Sequence, residues 1–158
     1  MGRVAFSTLQ FQAKTNTMNT TLEHILLIDD SNADNMFHTI TINQVQQGFK
    51  IKAINNSIHA LEYLSSGLSS HADEFQKPLL VFVDINMPAL NGFELLEKYR
   101  NIPDPNGVKK NLTIYMLTGS LNPDDKALAL DKFSDIIAGF CIKPLSESVF
   151  REIVDKHF

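Results

Sequence analysis

From Glu23 onward, short apolar runs alternate with segments whose apolar residues recur every three or four positions. His24–Asp29 (HILLID) is an apolar run closing on acid, as expected of a strand buried on both faces of a parallel sheet. Ser31 or Asn32 can cap the next helix, where Ala33, Met36, Phe37 and Ile40 fall on one face and Gly48 is placed to end it. Lys50–Ile54 alternates and reads as a second strand. Residues 57–67 follow as a short helix with Ile58, Leu61 and Leu64 inward and Gly67 as its stop. After a polar loop, Leu79–Asp84 (LLVFVD) is the most apolar strand, and a turn containing Pro88 and Gly92 leads to the helix FELLEKYR.

Residues 101–111, carrying Pro and Gly, read as a loop before a fourth strand, Thr113–Thr118. Pro123-Asp124-Asp125 suits the first turn of a helix, because Pro lacks the amide that would be unpaired there and the acids face the positive dipole end. Residues 138–143 (AGFCIK) make a fifth strand, and a last helix from about Ser146 buries Val149, Phe150, Ile153 and Val154. Five strand–helix alternations predict a doubly wound α/β fold, a five-stranded parallel sheet with helices on both faces. Residues 1–21, rich in Thr, Asn and Gln without a period, read as a flexible leader with Met18 as an alternative start. The domain is then 22–158.

Composition narrows the function. The 158 residues are 44% apolar and 20% charged, as in a globular domain, and 14 basic against 18 acidic side chains leave a formal charge of −4. No basic cluster marks a nucleic-acid face, so direct DNA binding is not expected, and no apolar run approaches a membrane span. Cys141 is the only cysteine, which excludes a disulfide framework and a thiolate metal site. The N-terminus lacks the apolar core of a secretory signal. A cytoplasmic protein fits, with Asn19, Asn55 and Asn111 as chance matches to the glycosylation pattern.

Polar residues stand where the predicted strands end: Asp29-Asp30 after the first, Asp84 after the third, Thr118 after the fourth, Lys143 after the fifth. In an open parallel sheet these ends share one edge, where ligands bind. Three carboxylates pressed together repel one another and favour a hard cation held by oxygens, for which Mg²⁺ is suited. A Lys and a Thr hydroxyl beside them fit an arriving phosphoryl group, as charge and as hydrogen-bond donor. An Asp can be the nucleophile, giving an acyl phosphate, and phosphoryl transfer asks mainly for positioning and charge neutralisation.

ILLIDD, VDINMPALNGFELL, MLTGS and FCIKP resemble the four signatures of two-component response-regulator receiver domains, over residues 23–156. The resemblance implies the flavodoxin-like strand order 2-1-3-4-5. It implies Asp84 as phosphoacceptor, Asp30 and Asp84 as direct Mg²⁺ ligands, Asp29 helping through water, and Asn86 lending its backbone carbonyl to the metal. Thr118 matches the switch hydroxyl, Lys143 the phosphate-binding lysine and Phe140 the aromatic switch. The Lys143–Pro144 bond matches one usually cis. Asn91 and Gly119 depart from the commoner Asp and Ala without removing a reacting group. The implied partners are a sensor histidine kinase or histidine phosphotransfer protein and a downstream protein target. Output is expected through the helix after strand four, strand five and the last helix. No room for an output domain is seen after His157, so a stand-alone regulator is expected. The D-x-N-x-P turn and the long segment 60–78 resemble single-domain regulators that partner phytochrome-like kinases, some of which form homodimers.

Singly, these residues have plainer readings. Asp29-Asp30 can be a turn with a side-chain cap, Thr118 a helix cap and Lys-Pro a turn. Their coincidence at one edge favours chemistry. A phosphatase of the haloacid dehalogenase type would place D-x-D after the first strand, and here Asp84-Ile85-Asn86 follows the third. A flavodoxin-like phosphate loop is excluded by two carboxylates after strand one. The five histidines show no metal-ligand spacing. His24 is expected within the sheet, His157 near a helix C-terminus, and Cys141 as a small buried hydrophobe.

Overall fold

A computed structural model describes residues 20–119 and 122–158. The leader expected over 1–21 therefore falls almost wholly outside the described residues. At its end, the Thr21 amide donates to the Phe158 carbonyl and Leu22 is buried.

The elements are β1 (His24–Ile28), α1 (Asn32–Val45), β2 (Lys50–Ile54), α2 (Ser57–Ser69), a short α3 (Asp73–Gln76) and β3 (Leu79–Asp84). They continue with α4 (Gly92–Arg100), a 3₁₀ turn at Val108–Asn111, β4 (Leu112–Thr118), α5 (Pro123–Lys132), β5 (Ile137–Ile142) and α6 (Glu147–His157). All strand pairs are parallel and the order is β2-β1-β3-β4-β5, as expected. Every residue of β1 and β3 is buried, because helices cover both faces. Alternate strand residues feed two cores. Leu26, Ile28, Val81 and Val83 meet α2 and α4, while Ile25, Leu27, Leu80 and Phe82 meet α1 and α6. The helices start where expected, with Ser31, Asn91, Asn122 and Ser146 each accepting a hydrogen bond from the first turn of its helix.

Five helical expectations need correction. On α1, Met36, Phe37 and Ile40 face solvent, at 67%, 49% and 51% exposure, and Ala33 is exposed with them. The buried side carries Asn35, His38, Thr41, Ile42 and Val45. Burial of these polar groups is tolerable where they are bonded: the Asn35 amide donates to the Asp29 carbonyl at 2.8 Å, and the Thr41 hydroxyl to the Phe37 carbonyl at 3.1 Å. On α2, Ile58 is exposed. Gly67 does not stop the helix but lies within it, because the Phe75 ring fills the space a Cβ would need, 2.1 Å from its expected position. The loop expected before β3 contains α3, which carries that fully buried Phe75. On α6, Val149 is exposed, while Phe150, Ile153 and Val154 are buried.

Among the described residues no helix is long and apolar enough to cross a membrane.

Candidate functional site

The parallel register brings the C-terminal ends of β1, β3, β4 and β5 to one edge. Asp84 ends β3 opposite Leu117, and the Ile85 amide donates to the Leu117 carbonyl. Thr118 ends β4, fully buried, and its carbonyl accepts from the Lys143 amide at 2.7 Å, fixing where the lysine leaves β5. The Lys143–Pro144 peptide is cis, as the resemblance implies. Behind Asp84, Gly92 lets α4 begin against the strand: a Cβ there would lie 2.6 Å from the Asp84 carbonyl oxygen. The Ser57 hydroxyl donates to the Pro88 carbonyl and accepts from the Leu90 amide, tying down a turn in which Ala89 adopts φ 66°.

Asp29, Asp30 and Asp84 each offer a carboxylate oxygen within 4.8 Å of the others. Asp29 and Asp84 are buried and Asp30 is exposed. Asp29 also plays its plainer part, since its Oδ1 accepts from the Ser31 amide at 2.9 Å, which aims Oδ2 into the site. Lys143 Nζ lies 2.6 Å from Asp29 Oδ2, an ion contact without hydrogen-bond alignment, and 3.2 Å from Asp84 Oδ1. Burial raises the Asp84 carboxyl to about 6. The Asp29 charge adds to that, against the opposing Lys143 charge and the Asn86 backbone amide. Burial alone would lower the Lys143 ammonium, but its contacts with Asp29, Asp34 and Asp84 outweigh this and hold it above its ordinary range.

Six of the expected site residues, Asp29, Asp30, Asp84, Asn86, Thr118 and Lys143, lie on strand ends or adjoining loops at this edge. Phe140 lies within β5, paired with Met116 and half-buried against the core shared with α2 and α4. Sequence reading missed Asp34, whose Oδ2 lies 3.0 Å from Lys143 Nζ. Its signal was an acid in the first turn of α1, one turn beyond Asp30. It also missed His38, buried behind Asp29, whose imidazole is lowered by burial against the opposing pull of Asp29 and Asp34. No periodicity could have marked His38.

Hard oxygen donors around a buried, hydrogen-bond-free Asp29 Oδ2 suit Mg²⁺. The arrangement can hold a divalent cation and present one buried carboxylate, flanked by a lysine, to an electrophile.

Curated proteins that this chain resembles include two that it covers in part. One is a probable cyclic di-GMP phosphodiesterase of Vibrio cholerae, 28% identical over 134 residues, covering 84% of this chain and 26% of that protein. The other is response regulator Rcp1 of Synechocystis, 31% identical over 109 residues, covering 64% of this chain and 65% of the relative. The chain thus spans about a quarter of the first relative and just under two thirds of the second. A two-component response regulator from Cytophaga hutchinsonii superposes with a TM-score of 0.73 at 26% identity, covering 86% of this chain and 96% of that one. Residues 25–155 match the response regulator receiver domain as a family. With the strand order, the acidic edge and that match in agreement, this chain belongs to the response-regulator receiver-domain family of two-component signalling.

Proposed function

We propose that this chain is a cytoplasmic response-regulator receiver that accepts a phosphoryl group on Asp84 from a sensor histidine kinase or histidine phosphotransfer protein. The observation that carries this reading is a buried Asp84 carboxylate with Lys143 at 3.2 Å and Asp29 and Asp30 beside it. In the transfer, the bond from phosphorus to the donor's imidazole nitrogen breaks as one forms to an Asp84 carboxylate oxygen, and the freed imidazole keeps the electron pair. With a carboxyl at about 6, Asp84 is mainly ionised at neutral pH and able to attack. Asp30, Asp84 and the Asn86 carbonyl, with Asp29 beside them, would hold Mg²⁺, which would supply positive charge for the phosphoryl oxygens. Lys143 exchanges part of its contact with Asp84 for those oxygens, and Thr118 donates its hydroxyl to them.

The signal then passes along the sheet. Movement of Thr118 toward the phosphoryl group frees space that the Phe140 ring can take, changing the surface of α5, β5 and α6. That surface meets the downstream target or a second copy of the chain. The apolar Met36, Phe37 and Ile40 lie on the helix whose first turn touches Lys143, a fit site for the phosphodonor to dock. The phytochrome-partner subgroup belongs to this proposal on the sequence resemblance alone.

Incubation with acetyl phosphate and Mg²⁺, followed by intact-mass measurement, should show one added phosphoryl group that Asp84→Asn abolishes. Labelling of a His or Ser instead would overturn the assignment. Replacing Phe37 and Ile40 by Gln should slow transfer from the kinase and leave acetyl phosphate uptake unchanged.

A further inference from the structure

The opposite end of β1 carries a second charged cluster, remote from the phosphoacceptor. Glu23 precedes the strand, His24 opens it, and Asp73 begins α3 in a distant part of the chain. A carboxylate oxygen from each acid and a ring nitrogen of His24 lie within 4.8 Å of one another. His24 is only 8% exposed, and its Nε2 is buried without a hydrogen bond. That nitrogen faces Asp73 Oδ2 at 3.5 Å and Glu23 Oε2 at 4.0 Å. It has lost water without gaining an aligned partner, an arrangement that costs free energy unless something else takes up the ring nitrogen.

The two carboxylates already gather a cation. Lys77 Nζ rests 3.1 Å from Glu23 Oε2 and 3.3 Å from Asp73 Oδ2, with Lys50 at 3.8 Å from Glu23. Hydrogen bonding to Lys77 is the main reason both carboxyls are held below their usual range, so both are ionised at neutral pH. The imidazole nitrogen is the group this lysine leaves without a directed partner.

We propose that Glu23, His24 and Asp73 form a site for a borderline divalent cation of the Zn²⁺ class, which takes the seat of the Lys77 ammonium. One imidazole nitrogen with two carboxylate oxygens is a zinc donor set and a poor one for Mg²⁺, which prefers oxygen alone. Bonds of about 2.1 Å meeting at the tetrahedral angle put donor atoms about 3.4 Å apart. The His24–Asp73 pair is at 3.5 Å, and the 4.0 Å to Glu23 closes with a small turn of a half-exposed side chain. Lys77 and Lys50 sit on flexible stems open to water and can swing aside. A cavity of about 370 Å³, lined by His24, Lys50, Lys52, Tyr63 and Glu74, lies beside the site.

The ion would pin α3 to the start of β1, and with it Phe75, the ring packed against Gly67 of α2. Because β1 is five residues long, the two metal sites are about 17 Å apart and bind independently.

Titration calorimetry of the tag-free full chain with ZnCl₂ tests the site. Asp84→Asn should retain one high-affinity zinc, and both His24→Gln and the surface variant Asp73→Asn should weaken it by about tenfold or more. Lys77→Met should tighten it, and the His24 ring resonances should shift on addition of zinc. Zinc uptake that is absent, that survives in both His24→Gln and Asp73→Asn, or that disappears only in Asp84→Asn would overturn the proposal.

Discussion

At the C-terminal end of β1, Asp29 and Asp84 are 1% and 4% exposed and share a lysine that is largely buried. At the N-terminal end, Glu23 and Asp73 keep 48% and 59% of their side chains in water, beside two exposed lysines. The residue types are nearly the same and the distances similar, yet only at the first is a carboxyl, that of Asp84, pushed upward. Two unit charges 4 Å apart interact by about 1 kcal/mol in water and about 4 kcal/mol at the effective dielectric of a protein surface. Burial therefore turns the Asp29–Asp84 pair into stored repulsion that a cation or a phosphoryl group can relieve. The outer cluster is screened and stores little. Dehydration, more than charge count, separates the carboxylates of the two ends.

The largest contrast should come from neutralising one acid at each end. Asp84→Asn should abolish phosphoryl uptake, read by intact mass, whereas Glu23→Gln should leave both uptake and the urea midpoint where they were. A loss of uptake in Glu23→Gln would break the comparison.

Next in size is the pH dependence of stability. A carboxyl raised to about 6 binds its proton more tightly in the folded state than in the unfolded chain, where it titrates near 3.8. Metal-free stability should therefore fall, by about 2–3 kcal/mol, as pH rises from near 4 to 6. Urea unfolding in chelator should show this fall in wild type and a flatter profile in Asp84→Asn. Above pH 6, Mg²⁺ should restore the lost stability, and its affinity should weaken as pH drops through 6.

Exchanging the two lysines for Met sharpens the same contrast. Lys143→Met leaves three carboxylates at the buried edge without their cation. It should cost about 2 kcal/mol at pH 7, less than the loss from a fully buried pair because Lys143 keeps 17% of its side chain in water. The same variant should bind Mg²⁺ more tightly by calorimetry. Lys77→Met, without zinc, should not shift the unfolding midpoint measurably.

The smallest expected effect concerns salt. Raising NaCl from 0.05 to about 0.5 M shortens the screening length to a few ångströms. The Glu23–Lys77 contact should loosen, seen as sharper averaging of the Lys77 NMR resonances, while the Lys143 resonances stay fixed. Equal responses at both ends would mean that the buried edge is wetter than its burial implies.

The strands and the acidic edge were legible in the sequence because both depend on local facts. HILLID and LLVFVD must be buried on both faces, and parallel connection forces their ends to one side, so Asp29, Asp84, Thr118 and Lys143 could be placed together before any coordinates. The faces of α1 were not legible. Met36, Phe37 and Ile40 form a helical stripe, but so do Asn35, His38 and Ile42, and periodicity does not say which stripe turns inward. Gly67 looked like a helix stop because its packing partner, Phe75, lies beyond the helix in the segment read as a loop. Asp34 and the Glu23–His24–Asp73 cluster were missed for the same reason, since their partners are far away along the chain.

The sequence by itself determined the strand–helix alternation and the order in which charged residues leave the sheet. Backbone propensity, hydrophobic period and the handedness of parallel connections suffice for those. Only the tertiary structure decided which face of α1 meets solvent, which acids share Lys143 and which end of β1 is dry. Those outcomes depend on which distant side chains exclude water from a given atom, and desolvation is a property of the packed whole.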